Sequence, residues 1–305
     1  MAIDLTQIFS DSENISWLEK GYNAQHIWHD QLQLLLLWGL NSHLPGFLRL
    51  LPGTASSAEN LIEAIQESGL KNTIVVADKA FYSEDNVIKL EGNQNHIHYA
   101  IPLRRDFLFL QYPTPTRYQE HFLYRESVQW WREYDWNDRR IIHYLDKQIA
   151  AEEELALLRK VHEGKLSKKE YHIHKNQFGT LAIITDLVLS PQEVYGLYKQ
   201  RREIESTFDT LKNTIEGDKT WMQSRESLQG YLFILFIALH IYSQALDHLR
   251  RKDLLKKYSV HDVLWTLSKV YVVRVNDQIL LNEVTKSTRE LLDELEVHIT
   301  ENVGS

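Results

Sequence analysis

The sequence predicts an α/β fold, a mixed sheet flanked by helices and interrupted by a β-containing insertion. Three observations carry this. Over the first hundred residues, short apolar runs bounded by turn residues alternate with segments that carry helix caps. From about Arg105 to Gly179 that rhythm gives way to clustered aromatics, alternating segments and a charged helix. At "GTLAIITD" the alternation resumes and leads into a long helical pattern.

The elements follow in order. "AIDLTQIF" has strand composition, and "QLQLLLLWGL" and "LPGFLRLLPG" are strands separated by turn signals at Asn41-Ser42 and Pro52-Gly53. "SSAENLIEAIQESG" reads as a helix capped at Ser56 or Ser57 and stopped by Gly69. "NTIVVADKA" is a short apolar run with polar borders, the pattern of a buried strand. "SEDNVIKLEG" is a second helix ending at Gly92, and "HIHYAIPL" returns as a strand. The insertion holds "YPTPTRY", "VQWWREYDW", alternating "RRIIHYL" and "EYHIHK", and the charged helix "DKQIAAEEELALLRKVHEGK". "SPQEVYGLYKQRREIESTFDTLK" then opens a long helix capped at Ser190 with Pro191 at its first position. "SRESLQGYLFILFIALHIYSQALDHLR" reads as a buried helix. The resulting division is 1–105 for the first part of the core, 106–179 for the insertion, 180–250 for the second part of the core and 251–305 for a helical tail.

Composition narrows the function. A 305-residue chain with 43% hydrophobic and 25% charged residues has ample material for a core. With no cysteine, disulfide frameworks and thiolate-ligated metal sites are excluded. The runs "LQLLLLWGL" and "YLFILFIAL" are each about half a bilayer span, so they are expected in the core, with no membrane role. A net charge of −8 argues against non-specific coating of nucleic acid, so any DNA role must rest on local charge placement. His96/His98 and His172/His174 are each expected on one face of a strand, with no third ligand to make a zinc site. "RRKDLLKK" reads as a solvated helix end.

The long helix carries a polar stripe beside its apolar face. Taking about 100° per residue, Arg201, Glu205 and Lys212 fall at roughly −60°, −20° and −40° from Tyr198, over about 21 Å of axis. Leu197, Ile204, Phe208 and Leu211 form the neighbouring apolar stripe. By helix geometry alone, Arg201 and Glu205 make an ordinary ion pair. Acids also stand at strand ends: Asp4 in the first strand, and Asp78 where "TIVVAD" runs out. Asp209 rivals Glu205, and Asp11, Asp85 and Asp106 rival the other two. Spacing alone selects no trio.

The pattern Y-x2-R-x3-E-x6-K, filled by Tyr198, Arg201, Glu205 and Lys212, joins "IVVADKAFYSEDNVIKL" and "LPGTASSAENL" in a resemblance. From Asp4 to "LNEVTKSTRELLDELEV" the chain resembles bacterial insertion-sequence DDE transposases with the YREK signature, the insertion-sequence family four. The resemblance implies an RNase H-like fold with the insertion between the second aspartate and the glutamate. It implies Asp4, Asp78 and Glu205 as the catalytic, metal-binding triad for two Mg2+, with Mn2+ as a substitute. Two such ions about 3.5–4 Å apart serve both oxygens of an in-line displacement at phosphorus. It places Tyr198, Arg201 and Lys212 on the DNA backbone, and Trp130 and Trp131 on a base flipped from the duplex. The implied partners are terminal-repeat and target DNA and a second copy of the chain, and the implied location is the prokaryotic cytoplasm, at the nucleoid. Family members carry a helical DNA-recognition region before the first aspartate, whereas only Met1, Ala2 and Ile3 precede Asp4 here. The chain is therefore expected to lack that region and to have a clipped first strand. Its alternative role is a non-catalytic partner or inhibitor of full-length transposase.

Overall fold

In the computed structural model, which describes residues 1–21, 28–107, 118–275 and 278–297, strands and helices follow the expected order. The first part of the core contains β1 (Ala2–Ser10), β2 (Glu19–Lys20), β3 (Asp30–Trp38), β4 (Pro45–Pro52), α1 (Ser57–Ser68), β5 (Thr73–Val76), α2 (Glu84–Glu91) and β6 (Ile97–Pro102). The insertion contributes β7 (Glu120–Tyr124), β8 (Ser127–Trp136), β9 (Arg139–Asp146), α3 (Lys147–His162) and α4 (Lys168–His174). After it come β10 (Thr180–Thr185), α5 (Pro191–Gln200), α6 (Arg202–Asp209), β11 (Lys219–Thr220) and α7 (Arg225–Arg251). The chain continues through α8 (Val260–Leu267), a hairpin of β12 (Val272–Val275) and β13 (Gln278–Leu281), and α9 (Lys286–Glu294).

The main sheet runs β2-β3-β1-β5-β6-β10-β9-β8-β7, with β4 on β3 and β11 on β1. Within it, β1, β5 and β6 are parallel, and β3 is antiparallel to both β1 and β4. This is the RNase H-like mixed α/β sheet that the resemblance implies. The insertion's strands continue it: β9 pairs with β10, and β8 and β7 follow.

Strand alternation assigns each side chain to one of two cores. Leu34 and Leu36 of β3 enter the core under α5, α6 and α7, together with Ile204, Phe208, Leu232 and Leu235. Leu35 and Leu37 enter the opposite core with Leu61, Ile65 and Val87 of α1 and α2. A strand buried on both faces must be apolar at every position, which is why "LLLLW" has no polar break. In β1, Ala2 and Ile8 belong to the first core and Ile3 to the second. In β5, Val76 belongs to the first and Val75 to the second.

Several elements differ from the expectations. "EYHIHK" lies at the end of a helix, because Ser167 and Glu170 form a reciprocal capping box that nucleates α4. His172 and His174 therefore do not share a strand face. His96 precedes β6 at φ 53°, and His98 bonds Asp186 at 2.9 Å. The long helix is interrupted at Arg201 and ends in a π-helical turn over Thr210–Thr214. "YLFILFIAL" belongs to a 27-residue helix, α7, long and apolar enough by length and composition to cross a bilayer. It is not buried all round: Leu228, Leu232, Leu235 and Leu239 pack inward, while Phe233, Ile234, Ile237 and Ile241 are exposed. The tail contains a hairpin between its helices. Most of "YPTPTRY" lies outside the described residues.

Candidate active site

The register of two parallel strands sets up the site. Ala2 of β1 stands opposite Val76 of β5. Two residues further along each chain are Asp4 and Asp78, of the same parity and hence on the same face as Ala2 and Val76. Neighbouring strands lie about 4.8 Å apart, so the two carboxylates share one level of the sheet. That face is covered by α5 and α6, whose Val194 and Ile204 pack into the same core. Asp4 is firmly seated: β1 pairs with β3 from Ala2 to Phe9, with Asp4 opposite Leu36. The first strand is therefore fully paired around Asp4.

Arg201 joins the three acids. Its Nη1 donates to Asp4 Oδ2 at 2.6 Å. Its Nη2 donates to Glu205 Oε1 at 2.9 Å and lies 3.4 Å from Asp78 Oδ2. Residues 74 and 127 apart in sequence thus meet around a single guanidinium. Arg201 is only 7% exposed, and its Nε has no hydrogen-bond partner among the described residues. Burial opposes its charge, but the fields of Asp4 and Asp78, then Tyr198 and Glu205, outweigh this and hold its pKa above the ordinary value. Burial pushes the Asp4 carboxyl up against the pull of Arg201. Asp78 also caps the short turn after β5, accepting from the Ala80 amide at 3.1 Å.

The other expected residues are placed less uniformly. Tyr198 is half-buried, with the Arg201 guanidinium 5.9 Å from its ring centroid, and burial raises its pKa. It opens onto a cleft of about 720 Å³ lined also by Lys79, Arg104, Arg105 and Lys199. The sequence reading missed these four cations, although Lys79 directly follows Asp78 and Lys199 directly follows Tyr198. Lys212 stands apart from the acids on the π-helical turn; burial lowers its pKa, and Asp218 is the acid that opposes this. Trp131 packs against the first core. Trp130 carries the Lys147 ammonium 4.2 Å above its ring and has His121 at 4.9 Å. Among the described residues, no group of three His, Asp or Glu forms a ready-made metal cage. A guanidinium stands among the three carboxylates.

The sheet thus brings two acids of neighbouring strands together with a third on a covering helix. The family model for the transposase DDE domain matches residues 3–241, and the chain belongs to that family. No curated protein sequence matches it. Among solved structures it is similar to the piggyBac transposase in a synaptic complex with hairpin DNA, at 8% identity and a TM-score of 0.49. That match covers 96% of this chain and 51% of the other, so the chain spans about half the length of that transposase.

Proposed function

We propose that the chain is the catalytic domain of a cut-and-paste DNA transposase of the YREK insertion-sequence type. It would cleave phosphodiesters at element ends and transfer the freed strand to a target. The convergence of Asp4, Asp78 and Glu205 on one guanidinium carries this reading. The donor set fits hard divalent cations: all three side chains offer carboxylate oxygens, and a positive group already stands among them. Asp4, Asp78 and Glu205 would hold two Mg2+ or Mn2+. When bound, such ions activate the attacking oxygen and stabilise the leaving one.

The chain's own groups bind and orient DNA. Tyr198, with Arg201 beside it, lines the cleft, where Lys79, Arg104, Arg105 and Lys199 outnumber Asp106 and Asp146 and offer a phosphate backbone positive charge despite the acidic whole. Lys212 extends this contact along the strand. Trp130, on the insertion and half-buried like Trp131, would receive an unstacked base. Trp131 supports it from the core side. The acting form is a homodimer on DNA at the nucleoid. The gathered carboxylates favour this reading over the non-catalytic partner.

The test is Mg2+-dependent nicking of a duplex carrying the element's terminal repeat, comparing the native chain with Glu205→Ala. The native chain should nick, and the variant should lose about a hundredfold or more in rate. Equal rates from the two proteins, or no nicking by the native chain, would sink the reading.

A further inference from the structure

We propose that Arg201 is an internal counter-cation: it closes the acid cluster against divalent ions and must withdraw before they load. This rests on the reading of Asp4, Asp78 and Glu205 as a cation site, and it concerns a positioning residue acting through those acids.

Both terminal nitrogens of the guanidinium are engaged by carboxylates that a divalent ion needs. An Arg cannot give up its proton, so it cannot be neutralised in place. A doubly charged ion entering among the same oxygens would face its full charge at close range. Occupancy by Arg201 and occupancy by cations therefore exclude one another. Arg201 lies at the junction of α5 and α6, where the regular ladder gives way to i to i−3 bonds, Arg201 N to Tyr198 O at 3.2 Å and Ile204 N to Arg201 O at 3.0 Å. The unpartnered Nε shows that the buried pose does not satisfy the whole group. Tyr198, beside it, faces the basic cleft. A DNA phosphate arriving there offers the guanidinium a bidentate partner. Linkage then requires that DNA and cations strengthen each other's binding by the same factor.

The experiment is calorimetric titration of Mn2+ alone, without DNA, into the native chain, Arg201→Gln, Arg201→Lys and Asp78→Asn. Arg201→Gln should bind at least about tenfold more tightly than the native chain. Arg201→Lys, which keeps the charge, should restore the weaker native affinity, and Asp78→Asn should lose binding. A purely structural role for Arg201 predicts no gain in affinity in any variant. If Arg201→Gln binds no more tightly while Asp78→Asn still loses Mn2+, the counter-cation idea is wrong and the cation site stands. If no protein binds Mn2+, the site reading falls and the inference with it.

A second measurement needs no variant to fold. In nuclear magnetic resonance of the native chain's arginine side-chain N–H groups, the hindered Arg201 signals should become freely rotating as Mg2+ saturates. Unchanged signals at saturation would overturn the proposal.

Discussion

Asp146 ends β9 and starts α3, and its two oxygens do separate work. Oδ1 accepts from the amides of Gln148 and Ile149 at 2.9 and 3.1 Å, capping the helix, while Oδ2 accepts from Gln129 Nε2 at 2.6 Å. Gln129 is buried, so Asp146→Ala removes a cap and also the charged acceptor of an interior amide, which keeps only Ser127 Oγ at 3.0 Å. We expect a loss of about 2.5–4 kcal/mol, from roughly 1 for the cap and 1.5–3 for the lost hydrogen bond to a charged group. Urea unfolding checks it, and a loss under about 0.5 kcal/mol, the scale of an ordinary surface change, would refute the argument. The same contrast between local and distant partners explains what the sequence showed of the site. The Arg201–Glu205 pair is visible at i, i+4 and is present at 2.9 Å. The contacts of Arg201 with Asp4 and Asp78 come from other elements, and no local pattern announces them. Asp4 and Asp78 could be singled out from rivals such as Asp11 and Asp85 only through the resemblance. What brings those two together is the pairing of Ala2 with Val76. The cleft cations were missed because Arg104 and Lys199 approach one another only through the fold.

Elements were most legible where periodicity and caps agree, as in α1 with its Gly69 stop at φ 68° and α5 with its Ser190–Glu193 capping box. They were least legible where tertiary contacts decide. No Pro or Gly marks the interruption at Arg201. The π-helical turn takes an extra residue per turn, so it rotates Lys212 away from its position on a regular helix. In α4 the alternation of "EYHIHK" resembled a strand, but Ser167 settled the local choice. Strand β9 carries a prediction of its own. His143 is buried beside Tyr118, and burial, then the nearby Arg132, lowers its pKa to about 4 from the ordinary 6.5. Between those values the unfolded chain takes up a proton that the native chain refuses. The contribution of neutral His143 is therefore complete above pH 6.5 and is lost as pH falls towards 4, by about 3 kcal/mol. In His143→Gln the acid limb of stability against pH should be shallower by that amount, measured from urea midpoints across pH 4–7. Parallel limbs for the two proteins would show that His143 takes up its proton normally in the fold.

At the scale of the whole molecule, the question is whether the insertion is a separate unit or part of the catalytic body. Its composition breaks from the core, and on that ground the sequence divides it off at 106–179. Hydrogen bonding does not follow the division. The β9–β10 pairing runs from Thr180–Leu145 to Thr185–Arg140 without a gap, and Ile142 and Tyr144 of β9 share a core with Val194 and Ile204 of the helices that cover the acids. A boundary in residue type is thus not a boundary in packing, because one sheet passes through both. Such a sheet should open as one body. Ile142 is fully buried, and Ile142→Ala should cost about 2–5 kcal/mol through lost contacts and the cavity left behind. If core and insertion unfold together, this change should reduce the hydrogen-exchange protection of β9 amides and of distant β1 amides by the same free energy. If β9 loses protection while β1 keeps it, the insertion opens independently. Tyr195, which meets Phe122 and Tyr124 of β7 edge-on at 5.5 and 5.1 Å, would then no longer tie the helices that cover the acids to the aromatic strands. Concerted loss would mean that the base contact proposed at Trp130 and the phosphate contact proposed near Asp78 are referenced to the same rigid frame, as the proposed cleavage at one defined bond requires.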